Sequence, residues 1–154
     1  MTKMRIFLTG LAALFVAELL ATLIHGYLLA ADYAPYYGTL LRGGADPAWQ
    51  FAFLPLAHLA WVSGLIWVYL HTTLTGSRVV QGLKLGILGW VIGQVPLWLL
   101  WFAEQPWPNG LVLKQLALEL VSSLLVGVTI ALVSPRRDPI ATTMSPPLTH
   151  TAAR

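Results

Sequence analysis

Apolar residues in this chain come in four long runs, and the polar ones are gathered mainly between and after them. The runs occupy residues 6–31, 51–71, 79–102 and 111–133. Each is long enough to cross a hydrocarbon layer of roughly 30 Å, which takes about 20 helical residues. A helix satisfies its own backbone hydrogen bonds in lipid, so the pattern predicts an all-α, four-transmembrane-helix bundle. The connections TTLTGSR and EQPWPNG are short, which predicts antiparallel neighbours and up-down-up-down topology. The first run could be taken for a signal peptide, since Lys3 and Arg5 precede it and Ala30-Ala31 follow. It exceeds the roughly 7–15 apolar residues of such segments and contains Glu18, so it reads as an uncleaved span.

The remaining segments are polar. Residues 134–154 form a proline-rich stretch without apolar periodicity, expected to be a cytoplasmic tail. The first outer loop, DYAPYYGTLLRGGADPAW, allows two readings. It is either irregular or a short interfacial helix after Pro35, with Tyr36, Tyr37, Leu40 and Leu41 toward lipid and Arg42 toward water. Trp49, Trp98, Trp101 and Trp107 lie near one set of helix ends and suggest a heavy outer aromatic belt. The other reading of these rings is an aromatic surface for a partner or a flat cofactor.

Composition agrees with the pattern: of 154 residues, 57% are hydrophobic and 10% charged, outside the range of an ordinary soluble domain. The net charge of +3 raises a nucleic-acid reading, which the distribution of charge removes. Lys3, Arg5, Arg78, Lys84, Arg136, Arg137 and Arg154 fall on one side of a four-span chain; Arg42 and Lys114 fall on the other, with Asp32, Asp46 and Glu104. By the positive-inside rule both termini are expected in the cytoplasm, and the expected location is a bacterial inner membrane. Cysteine is absent, which excludes disulfides, thiolate metal sites, iron–sulfur clusters and c-type haem attachment.

The candidate chemistry lies in the few polar residues within the spans. At about 1.5 Å per residue, His25, His58, Glu119 and Gln94 fall at one outer-half depth, one from each helix, with Glu18 about 10 Å below His25. Glu18, Thr22 and His25 share a face at i, i+4 and i+7. Ionisable groups at this depth are costly and normally face one another inside a bundle. The expectation is a His25–His58–Glu119 core with Glu18 beneath it, Gln94 being the least well aligned. Gly82, Gly86, Gly89 and Gly93 form a face on the third helix suited to close packing. His71, His150, Glu104 and Lys114 are read as interfacial or solvated.

Three functional classes follow. The first is a non-catalytic accessory subunit of a larger membrane assembly, respiratory or photosynthetic, with other membrane subunits or further copies as partners. The second is a cofactor protein: His25 and His58 holding a b-type haem, a divalent metal with Glu119, or a chlorophyll-type pigment on one histidine. The third is a proton-coupled transporter or channel using Glu18 and Glu119. No HExxH or comparable spacing marks a catalytic or metal motif. The pattern ELLATLIHGYLLAADY, with Glu18 and the His25-Gly26 pair ahead of an aromatic-rich loop and three further spans, resembles small bacterial four-helix membrane proteins. That resemblance, over residues 5 to 133, implies the topology and no activity.

Overall fold

The computed structural model describes residues 3–41 and 47–134, with side chains described from residue 52 in the second stretch. The tail from residue 135 onward, including His150, the loop residues Arg42 and Asp46, and the side chain of Trp49 lie outside the described residues. Four helices are long and apolar enough to cross a membrane: Lys3–Leu28, Ala52–His71, Arg78–Glu104 and Asn109–Val133. Among the described residues there is no β-strand.

Two of the spans contain a wider turn. Helix α1 (Lys3–Leu23) continues into a π turn, Ile24–Leu28, before a short α2 (Ala30–Tyr33) and a 3-10 turn, Ala34–Tyr36. Helix α3 (Pro47–His71) begins four residues earlier than the apolar run suggested. In the third span α4 (Arg78–Gly89) passes through a second π turn, Trp90–Gln94, into α5 (Val95–Glu104). Pro96 explains that turn: its ring has no N–H for the Ile92 carbonyl and clashes with it, and a wider turn relieves both. Helix α6 (Asn109–Val133) completes the bundle.

The most extensive packing joins α4 to α6, and α6 also lies along α1. Hydrophobic burial does not drive helices together in lipid, so close van der Waals contact must do so. The glycine face predicted on the third helix supplies it, divided between two partners. A Cβ at Gly86 would lie 2.5 Å from the Ser123 carbonyl oxygen and 2.6 Å from Leu124 Cα. One at Gly127 would lie 2.6 Å from the Gly86 nitrogen. Gly82 likewise meets the α6 backbone at Gly127 and Val128, whereas Gly89 and Gly93 meet Leu65 and Trp61 on α3. The Trp61 indole donates to the Gly89 carbonyl at 3.4 Å through the room Gly93 leaves.

Two apolar clusters result. The inner one gathers Ala13, Ala17, Val62, Leu65, Leu85, Val126 and Ile130; the outer one gathers Ile24, Leu29, Tyr33, Trp107, Leu111 and Val112. The chain after Pro35 is not an interfacial helix. It turns at Gly38, whose φ of 80° suits a residue without a Cβ, and packs Tyr36, Leu40 and Leu41 inward on the outer cluster. Tyr37 remains exposed. Trp98 and Trp107 are buried edge-on against each other, and Tyr36 packs on Trp107. Those two indoles therefore close the outer end of the bundle instead of lining its lipid surface. Trp101 does reach the surface.

Candidate functional site

Glu18, His25, His58 and Glu119 fall into two separate groups. In the first, His25 Nε2 is 3.3 Å from Glu119 Oε1, and His25 Nδ1 is 3.3 Å from the Tyr33 hydroxyl. The Tyr33 hydroxyl donates to Gln115 Oε1, and Gln115 Nε2 donates to Glu119 Oε1 at 2.9 Å. Three hydrogen bonds thus link four side chains, and the His25–Glu119 approach at ion-pair distance completes a ring. Gln115 is fully buried, so its amide depends on the ring for its hydrogen bonds. In the second group, Glu18 Oε1 lies 2.9 Å from His58 Nδ1.

This arrangement corrects the expected His25–His58–Glu119 core. His58 belongs with Glu18, which lies about two helical turns from His25, and the start of α3 at Pro47 shifts His58 about one turn toward it. His58 is then eleven residues into its helix, about 16 Å from its start. Among the described residues no group of three His, Asp or Glu side chains converges as a metal site would require. Gln94 ends the second π turn, is half-buried, and joins neither group.

Two members of the ring were not anticipated. Gln115 precedes Glu119 by four residues, a same-face spacing that sequence could have revealed. Tyr33 could not be found that way. Two uninterrupted α turns take about 7.2 residues, which leaves a residue eight positions on well off the His25 face. Widening one turn by a residue brings Tyr33 back over His25, with the rings stacked at 5.9 Å. Burial, followed by the charges of Glu119, Tyr37 and Asp32, holds the Tyr33 phenol well above its ordinary range, so it remains a donor.

With the phenol proton committed to Gln115, His25 Nδ1 donates to the Tyr33 oxygen.

In the cofactor reading, His25 and His58 belong to separate groups, so this arrangement does not bring the two imidazoles together on one metal or macrocycle. His58 Nε2 makes no hydrogen bond among the described residues, while Glu18 on Nδ1 is the kind of partner that orients a ligating imidazole.

The residues read as peripheral have local partners. His71 Nδ1 donates to the Trp67 carbonyl at 2.8 Å, and Lys84 Nζ donates to the Thr75 carbonyl at 3.1 Å. Lys114 pairs with Asp32 at 2.9 Å, and Glu104 is exposed. Comparison with family models, with curated proteins and with solved structures gives no match to this chain, so the site alone carries the functional reading.

Proposed function

We propose that this chain is a non-catalytic subunit of a larger membrane assembly, seated in a bacterial inner membrane with both termini cytoplasmic. The observation that carries this reading is the sideways opening of the polar pairs. The side chains of Glu18, His58 and His25 are 34%, 23% and 41% exposed at depths where the surrounding surface is apolar. Phe15 and Leu19, beside Glu18, are more exposed still. Ionisable groups within a span normally face protein or a water-filled cavity because lipid cannot solvate them. Another membrane subunit lying along α1 and α3 would cover them. The clustering of Lys3, Arg5, Arg78 and Lys84 at the helix ends opposite Asp32 and Glu104 supports the orientation.

The test is isolation from native membranes in mild detergent after placing a photo-crosslinking residue at Leu19. A discrete crosslink to a different membrane chain, copurifying at fixed stoichiometry, is expected. A monomer without adducts would overturn the reading. The absorption spectrum and metal content of the same preparation test ligation at His58. A reporter enzyme fused to the C-terminus tests the orientation.

A second reading has its own observation, the 3.3 Å contact between His25 and Glu119 within a span. In it this pair takes up and releases a proton, coupling its end of the bundle to a proton gradient. Proteoliposomes loaded with a pH-sensitive dye should then show proton flux above empty vesicles, lost in Glu119→Gln. Equal flux with and without protein would exclude it.

A further inference from the structure

At the opposite end of the bundle from the ring, α1, α4 and the end of α6 border an open cavity of about 450 Å³ lined by Arg5, Leu8, Arg78, Leu132, Val133 and Ser134. Its size falls within the roughly 300–1,000 Å³ of ligand-binding clefts. Arg5 and Arg78, from different helices, both line this space, and among the described residues no carboxylate does. Arg78 uses one nitrogen to donate to the Leu132 carbonyl at 2.7 Å, satisfying part of the α6 C-terminus and fixing the guanidinium in place. The described acidic residues are all elsewhere: Glu18 and Glu119 are within the spans, and Asp32 and Glu104 are at the far end. Lys3 and Lys84 add positive charge at this end, and Lys84 is directed to Thr75. The N-termini of α1 and α4 open on the same side and favour an anion, while the opposing C-terminus of α6 is partly offset by the Arg78 bond to Leu132.

The rest of the lining is apolar. Leu8, Leu132 and Val133 are exposed beside the guanidinium groups, so charge and hydrocarbon surface adjoin at the edge of the bundle. A phosphate ester attached to acyl chains matches both halves, whereas a free anion uses only one. We infer that this cavity binds the headgroup of an anionic phospholipid, with Arg5 and Arg78 on the phosphate and the acyl chain along Leu8 and Leu132. Basic pockets between transmembrane helices recognise such headgroups by this combination of charge and adjoining hydrocarbon.

The test uses the full chain in a neutral detergent, with phosphatidylglycerol, phosphatidylcholine and inorganic phosphate as probes and native mass spectrometry to count bound molecules. One phosphatidylglycerol per chain should be retained in preference to phosphatidylcholine, and inorganic phosphate should not displace it. Arg5→Gln leaves the Arg78–Leu132 bond in place and is expected to weaken retention about fivefold. Arg78→Lys, which keeps the charge and loses the planar fork, is expected to weaken it less than Arg78→Gln. Equal retention of the two lipids would overturn the assignment, as would unchanged binding in both Arg5→Gln and Arg78→Gln. Displacement by inorganic phosphate alone would assign the cavity to a soluble anion instead.

Discussion

Replacing Gly86 by alanine tests the packing argument at its tightest point. The added Cβ would lie 2.5 Å from the Ser123 carbonyl oxygen and 2.6 Å from Leu124 Cα, whereas ordinary contact begins at 3.4 Å. Both obstructing atoms are backbone, so no rotamer change relieves the clash and α4 must withdraw from α6 by about 0.9 Å locally. A gap of that size forfeits about a quarter to a half of each contact's attraction along the seam. Overpacking of this kind costs about 1–3 kcal/mol, and the rigid obstacle places Gly86→Ala toward the upper end. Gly64 provides the control: it lies within α3, and a Cβ there would meet nothing within 4 Å. Gly64→Ala removes backbone freedom from the unfolded chain without strain and should be neutral or stabilising by up to about 1 kcal/mol. Reversible unfolding in mixed micelles, titrating a denaturing detergent into a mild one and following tryptophan fluorescence, gives both values. Equal stabilities for the two variants would refute the claim that bare backbone contact holds these helices together.

Other perturbations address the polar ring and its surroundings. Glu119→Leu leaves the buried Gln115 amide without its acceptor and should cost about 1–3 kcal/mol in the same unfolding assay; Glu119→Gln, which retains an acceptor oxygen, should cost less. The folded-state pKa of Tyr33 is raised, so its stabilising contribution is complete below the ordinary phenol value near 10 and is lost as pH rises beyond it. Alkaline absorbance titration should accordingly show a late tyrosine component that Tyr33→Phe removes, and stability above pH 10 should fall more steeply in the wild type than in that variant. Lys114→Met breaks an ion pair open to solvent and should cost less than about 1 kcal/mol, with the difference shrinking in high salt.

Much of the candidate site could be read from residue order, and its failures have specific causes. Glu18, His25, His58 and Glu119 are conspicuous because ionisable groups in apolar runs need partners, and each does have one. The pairing was misassigned because depth was counted from the end of the apolar run, while α3 begins earlier, at Pro47. The earlier start moves His58 about a turn away from the His25 level and toward Glu18, whose carboxylate it meets. Tyr33 escapes a reading from sequence because a constant helical period takes it off the His25 face. Trp98 and Trp107 read as part of an aromatic belt, since nothing in the sequence marks the return of the outer loop over the bundle.

Sequence alone determined what depends on composition and local order. It predicted four apolar helices, ionisable residues within them, a glycine face on the third, and basic residues gathered toward one set of helix ends. Each of these follows from transfer free energy or helical period, which act through near neighbours in the chain. Tertiary structure decided the partners: Glu18 with His58, Glu119 with His25 and Gln115, and the glycine face shared between α6 and α3. It also decided that Arg5 and Arg78 line one cavity. Such pairings depend on shifts of a single turn, and here one π turn and a helix start moved by four residues set them.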